Sequence, residues 1–270
     1  MNKIPNLSAE NSPKTTSLQS LKIKKYIPKT LAIVLALTVW HTLSIFVGSD
    51  LLLVSPLTIV KRLLELVREA DFMSTVLFTF SRITLGFLSG FLLGITLALL
   101  AGKFPLAETL FHPYMVTVKT VPVASFVVLA LIWIEGEGLA WLISFLMVLP
   151  IIYTNLLDGI KSIDKKMLQM ADVFRIPFGR RLRFIWLPSV KPFLVSGTKI
   201  ALGLAWKSGV AAELIGYPKG SVGEALYYSK LYLETADVFA WTVVIVALSV
   251  VLEKLFVFLL KVFFKGVEKI

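Results

Sequence analysis

The sequence predicts an all-α polytopic membrane protein with six transmembrane helices and both termini in the cytoplasm. Three observations lead there. Apolar residues make up 57% of the 270-residue chain and charged residues 17%, against roughly 45–50% and 25% in soluble domains. Six apolar runs approach the roughly 20 helical residues needed to cross hydrocarbon. Lys and Arg collect in alternate connecting segments, as the positive-inside rule requires.

The runs follow in order. Leu31–Val47 is uncharged and can start at Pro28. Ile83–Gly102 is uncharged. Thr120–Ile134 is uncharged and extends toward Pro113 if Lys119 is accepted. Gly138–Leu157 is uncharged. Pro192–Leu214 is apolar but holds Lys199, Lys207 and Glu213. Val238–Leu252 continues past Glu253 and Lys254 to Leu260. Ahead of them, residues 1–27 are polar and without periodicity, which predicts a disordered cytoplasmic tail. The first helix and the start of an external loop occupy residues 28–54. After the first run, Ser44–Asp50 lacks an A-x-A cleavage pattern, so an uncleaved span is expected rather than a signal peptide. In residues 55–71, Leu57, Val60, Leu63, Leu64 and Val67 recur at helical spacing among charged residues, a short external amphipathic helix opened by Ser55-Pro56. The transmembrane domain is expected over 72–260, with a cytoplasmic loop at 158–191 and a cytoplasmic tail at 261–270.

Orientation follows from counting. With the N-terminus inside, 18 of the 28 Lys and Arg residues lie in inside segments and five outside. The net charge of +11 therefore reads as topogenic, and nucleic acid is not an expected partner. Zero Cys excludes disulfides, thiolate metal sites and thiol catalysis. His41 and His112 alone offer no basis for a metal centre. No P-loop, G-x-S-x-G or H-E-x-x-H pattern is present, so neither a nucleotide-hydrolysing nor a catalytic site is expected.

Three features remain to carry function. The inside loop Asp158–Lys191 contains a helical stretch, Lys165–Arg175, with Met167, Leu168, Met170, Ala171 and Phe174 as an apolar stripe. Pro177 and Gly179 break it. A second basic piece, Arg180–Trp186, is expected to end at Leu187-Pro188. This element either lies on anionic headgroups or docks a soluble partner. Small residues at four-residue spacing, Gly86, Gly90, Gly94, Ala98 and Gly102, then Gly197, Ala201, Ala205 and Gly209, mark close helix packing; a dimer seam or pathway wall is the functional alternative. Lys199 and Lys207 share one face of the fifth run with Gly203 between them. An unpaired Lys near mid-span costs roughly 2.5–3.5 kcal/mol on insertion scales, so Lys207 should meet a carboxylate or line a wet path. Glu213, Lys199 and Lys119 are the other candidates for such a path, with snorkelling the alternative for Lys199 and headgroup anchoring for Lys119.

Residues 164–197 resemble the cytoplasmic EAA loop of ABC-importer permeases. The EAA triplet falls on Gln169, Met170 and Ala171, of which only Ala171 agrees, and the Gly of that pattern falls on Arg175. Leu187-Pro188 and Pro192 match. Thr120–Gly138, with Pro122, Gly136 and Gly138, resembles the third span of the nitrate/sulfonate/taurine-type permeases. Ile200–Gly216 is similar to their fifth, and Ser81-Arg82 with Gly86 to the start of their second. The resemblance covers about residues 55–265. It implies the ABC type-1 importer permease fold and a coupling helix through which Gln169, Met170, Ala171, Asp172, Val173, Phe174, Arg175, Ile176 and Pro177 dock an ABC ATPase subunit. It implies no cofactor in this chain, ATP being bound by the ATPase. It further implies an extracytoplasmic solute-binding protein, a homodimer and a multi-pass place in a bacterial-type cytoplasmic (inner) membrane. The solutes of these permeases include nitrate, sulfonates, taurine, bicarbonate and thiamine-precursor pyrimidines. A gradient-driven secondary transporter or channel, relying on Glu213 and Glu253, and a membrane scaffold recruiting a soluble enzyme are the alternatives.

Overall fold

The computed structural model describes residues 17–134 and 136–269, the side chains of 17–27, 29, 268 and 269 excepted. All regular structure among them is helical. The chain divides into two units, residues 1–58 and 59–270.

In the first unit, α1 runs over Ser17–Val47. Residues 1–16 of the expected tail lie outside the described residues. Its remainder, residues 17–27, is helical, a correction to the irregular tail that composition suggested. Leu, Gln and Lys are good helix formers, and they prolong the apolar helix backward through Pro28. From Thr30 to Val47 the helix is apolar enough to span a membrane, and little of it is buried within the chain. Gly48 turns with a positive φ of 65°, and Ser44 Oγ donates to Leu53 O at 2.9 Å across that turn. Ser55 Oγ then accepts from Thr58 N at 3.2 Å, capping α2 (Pro56–Leu66), with Pro at the first helical position where its missing N–H is harmless.

The second unit is built on three long helices: α3 (Phe72–Lys103), α6 (Gly136–Lys161) and α9 (Leu187–Gly216). Helix α6 lies between the other two, and the small-residue stripes explain why. On α3, a Cβ at Gly90 would sit 2.8 Å from Phe145 O of α6; on α9, a Cβ at Gly209 would sit 2.6 Å from Ser144 Oγ. Such separations are below any van der Waals contact, so the backbones approach as they do only because these positions lack side chains. Ser144 Oγ donates to Ala205 O at 3.0 Å in the same seam. Both stripes thus face α6 inside one chain. Around them pack Ile83, Phe87, Val148, Ile152, Tyr153, Leu202 and Trp206, all fully or almost fully buried. Helix α11 (Thr235–Lys269) joins this core through Phe256, edge-on to Phe87 at 4.8 Å and Phe91 at 5.2 Å. The expected C-terminal tail is helical as far as Lys269; Phe264, 2% exposed, anchors it to the core.

A second cluster joins α2, α3, α11 and α10 (Val222–Leu231) through Leu66, Val76, Val222, Leu226 and Trp241. Beside it Arg62 of α2 forms a two-pronged ion pair with Asp237 of α11, Nη2 to Oδ2 at 2.7 Å, and reaches Glu69 at 2.9 Å. The Asp237 carboxylate holds the Arg62 guanidinium still more firmly protonated than usual.

Four described helices are long and apolar enough to cross a membrane: α1, α3, α6 and α11. The other two expected spans are not among these four. The third is not one helix over Thr120–Ile134. Helix α4 (Pro105–Thr120) stops, Val121 and Pro122 are extended, and α5 occupies only Val123–Ala130. The two meet at 99° and make a fifth span only as a bent pair. Pro122 is the cause, because its ring pushes the preceding residue out of the helical region. Helix α9 has the length of the fifth span, 30 residues, but is not among the helices apolar enough to qualify on hydropathy, consistent with Lys199, Lys207 and Glu213 along it.

Candidate functional site

The loop between α6 and α9 is a structured element. Asp164 ends α6's overhang and caps α7 (Lys165–Val173), its side chain accepting from Lys166 N at 2.8 Å. Ala171, fully buried, packs with Ile163 and Ile185, while Leu168, Ile176 and Trp186 close over them. A one-turn helix α8 (Phe178–Arg181) follows, and then a π-helical turn, Leu182–Trp186, that runs directly into α9. The expected end at Leu187-Pro188 is therefore corrected. Leu187 N–H bonds five residues back to Leu182 O, and Pro188 falls in the first turn of α9, where an absent N–H breaks nothing.

The expected apolar stripe of α7 divides between two faces. Leu168 and Ala171 point inward; Met167, Met170 and Phe174 point outward, as does Val173 beside them, Val173 and Phe174 being 78% and 73% exposed. Of the nine residues expected to dock a partner, Gln169, Met170, Asp172, Val173, Phe174, Arg175 and Pro177 are exposed. Ala171 is buried, and Ile176 is half-buried against it, so neither belongs to the outward surface. Both instead hold α7 in place.

The turn after α7 is a Schellman motif: Ile176 N–H reaches Ala171 O at 2.9 Å and Arg175 N–H reaches Asp172 O at 3.0 Å. The residue between helix and exit must then be left-handed, the usual place of Gly. Arg175 takes it with φ 49°. The fold is thus kept where the Gly of the resembling loop is absent, at the cost of a strained non-Gly residue. Arg175→Gly should stabilise the turn by about 1 kcal/mol, read as roughly five-fold slower hydrogen exchange at the α7 amides; unchanged exchange would mean that the strain is relieved elsewhere.

Sequence reading missed Arg181. Its Nε donates to Ile176 O at 2.6 Å and its Nη2 to Ala171 O at 3.0 Å, and it pairs with Asp172. One guanidinium thereby adds a second donor to Ala171 O and a donor to Ile176 O in the turn after α7, and ties α7 to α8. The detectable signal was an Arg a few residues beyond a helix end; what it meets could not be known without the turn.

The cationic candidates lie on α9 and α4. Lys199 and Lys207 are exposed, and nothing within 4 Å occupies the space a Cβ would take at Gly203 between them. They form one open face of α9 turned away from the α6 seam. Lys119, at the end of α4, is exposed and donates to Thr154 Oγ1 of α6 at 2.9 Å. Glu213, expected as a further candidate for the path, is set apart from these cations. It is fully buried, and its Oε2 accepts from Thr79 Oγ1 at 2.7 Å and Gly223 N at 3.3 Å. Thr79 in turn accepts from Val222 N at 3.0 Å. The Thr79 hydroxyl and the Glu213 carboxyl therefore receive the first two N–H groups of α10, those of Val222 and Gly223, which would otherwise be orphaned. Ser221 caps the same helix through Glu224 N at 2.9 Å. Among the described residues no group of His, Cys, Asp and Glu is arranged to hold a metal.

Residues 90–269 match the family of binding-protein-dependent transport system inner membrane components. The chain belongs to that family. The match takes in α7, α9 with Lys199, Lys207 and Glu213, and α10. This permease is 29% identical to a protein named for aliphatic sulfonates transport, SsuC of Bacillus subtilis, over 77% of this chain and 76% of that one. It is 29% identical to the taurine transport system permease TauC of Escherichia coli, over 83% of each. Over half of the chain it is 27% identical to the bicarbonate transport system permease CmpB of Synechocystis, covering 48% of that protein. The permease is thus a membrane transport component, with several apolar helices suited to a bilayer.

Proposed function

We propose that this chain is the permease subunit of an ATP-driven importer and forms, as a homodimer, the path for a small anionic solute handed over by an extracytoplasmic binding protein. Six passes, with the bent α4–α5 pair and α9 counted as the third and fifth, put both termini and α7 in the cytoplasm. The distribution of Lys and Arg supports that orientation. The single observation that carries the reading is the outward apolar surface of α7, formed by Met170, Val173 and Phe174. A short helix presenting apolar anchors in water fits a groove on a soluble partner, and within this family that partner is the ATPase. The chain does no covalent chemistry. ATP binding and release between the ATPase subunits shift α7, and Arg181 passes that shift into α8 and, through the continuous π-helical turn, into α9. Packed helices with two stable arrangements then expose the path to either side.

The solute relatives named above are anions or zwitterions, and the open Lys199–Lys207 face of α9 supplies positive charge where a second copy would close it from the other side. Lys119 stands at the entrance. Glu213 is assigned to holding α10, not to meeting solute. Isolation of the tagged chain from its native membrane tests the reading: an ATPase carrying a P-loop should accompany it and should be lost when residues 167–178 are disrupted. Recovery of the chain alone would favour a gradient-driven transporter. Lys207→Ala should lower uptake at least roughly ten-fold, the loss from deleting one charged contact, with the ATPase still attached. Normal uptake by that variant would remove Lys207 from the path.

A further inference from the structure

A groove of about 350 Å³ opens between the C-terminal ends of α3 and α6 and the α8–π segment, within the range of small-ligand pockets, roughly 300–1,000 Å³. Its walls are Leu99, Ile160, Phe178, Leu182 and Trp186, and its one charged side chain is Lys103. Leu182 and Trp186, four apart on the π-helical turn and so on one side of it, both line the opening. The chain leaves it uncovered, with Leu99 52% and Phe178 71% exposed. No carboxylate lines it. Lys103 lies 5.2 Å from the Phe104 ring centroid and has no ion pair among the described residues.

We propose that this groove binds an anionic phospholipid of the leaflet adjoining α7, with an acyl chain along the apolar walls and the phosphate on Lys103. The lining suits hydrocarbon and offers a polar solute almost nothing. The unpaired Lys103 selects a negative headgroup, and Trp186 is the residue type that favours the boundary between hydrocarbon and headgroup. The groove also adjoins the turn that joins the docking element to α9, so an occupant there would brace that connection. The inference rests on the membrane orientation proposed above.

The test uses the transporter purified with its partner subunits and reconstituted in phosphatidylcholine vesicles carrying a minority of phosphatidylglycerol with a photoactivatable acyl chain. Peptides containing residues 99–103 and 178–186 should be labelled well above the exposed α11 face around Val246 and Val250. Leu182→Trp, which fills the groove, should abolish that excess. Lys103→Gln should reduce labelling by the phosphatidylglycerol probe roughly five-fold, the selectivity expected of one interfacial cation, and leave a phosphatidylcholine probe unchanged. Both variants should keep their ATPase. Labelling no greater than on α11, or insensitive to both substitutions, would overturn the proposal. Loss of the ATPase from the Leu182→Trp complex would overturn it too, by assigning the groove to the docking partner. Absence of any ATPase from the unaltered chain would instead defeat the importer reading, and labelling of the chain alone would still decide the groove.

Discussion

Phe174→Asp should cut recovery of the ATPase with the permease by at least roughly thirty-fold, the effect of losing an interface hot spot of about 2 kcal/mol, and abolish ATP-coupled uptake in parallel. Phe174 caps the C-terminal end of α7 and is 73% exposed. Its ring belongs to none of the buried clusters, so the chain's own fold does not depend on it. A carboxylate there would enter an apolar groove without a partner, which is strongly unfavourable. It would also oppose the negative end of the α7 dipole by about 0.3–1 kcal/mol, so Phe174→Ala is the needed companion: it removes the anchor and leaves the helix end alone. Ile176→Asp provides the contrast. It strikes the inward face beside Ala171 and Ile185 and should unfold the element rather than merely release the partner. Thermal unfolding separates the two cases. A Phe174→Asp permease that binds and transports normally would remove Phe174 from the docking surface.

Glu213→Ala should destabilise the chain by about 3 kcal/mol. Hydrogen bonds to charged or strongly polar acceptors contribute about 1.5–3 kcal/mol, and a buried donor left open costs its desolvation as well. The substitution strips the acceptor from Thr79 Oγ1 and Gly223 N together, both in a fully buried setting. Thr79 then loses the partner that orients it toward Val222 N, so the first turn of α10 loses two of its contacts. Glu213→Gln keeps an oxygen in the same place and should cost less than about 1 kcal/mol. Thermal unfolding and hydrogen exchange in α10 read both effects. An alanine variant as stable as the parent would show that α10 is held by its apolar contacts alone. If the glutamine variant kept α10 protected yet transported poorly, Glu213 would return to the solute path.

The α7–α8 segment shows how local patterning and tertiary packing share the outcome. The helical spacing of Lys165–Arg175 and the breakers Pro177 and Gly179 place a short helix and a turn in the loop, and both are present. A five-residue apolar stripe cannot by itself say which members face inward. That was settled by Ile163 and Ile185, which enclose Ala171 and leave Met170 and Phe174 outside. The substitution of the expected Gly by Arg175 carried no warning that the left-handed turn survives; the paired bonds to Ala171 O and Asp172 O impose it.

Membrane class, the order of the long helices and the basic loop were legible in the residues, because hydropathy and charge act locally and add along the chain. The small-residue stripes likewise announced close packing. Their partner, α6 for both, emerged only from the assembled helices, since a glycine row is complementary to any backbone that fits it. Pro122 was visible throughout, yet how sharply α4 and α5 diverge is a property of the folded chain. Glu213 is the clearest division. Its charge in an apolar run marked it as costly and therefore purposeful, but its partners are a threonine 134 residues earlier and the end of a helix ten residues later. Burial makes such a group demand partners; only the packing of α3 against α9 and α10 supplies them.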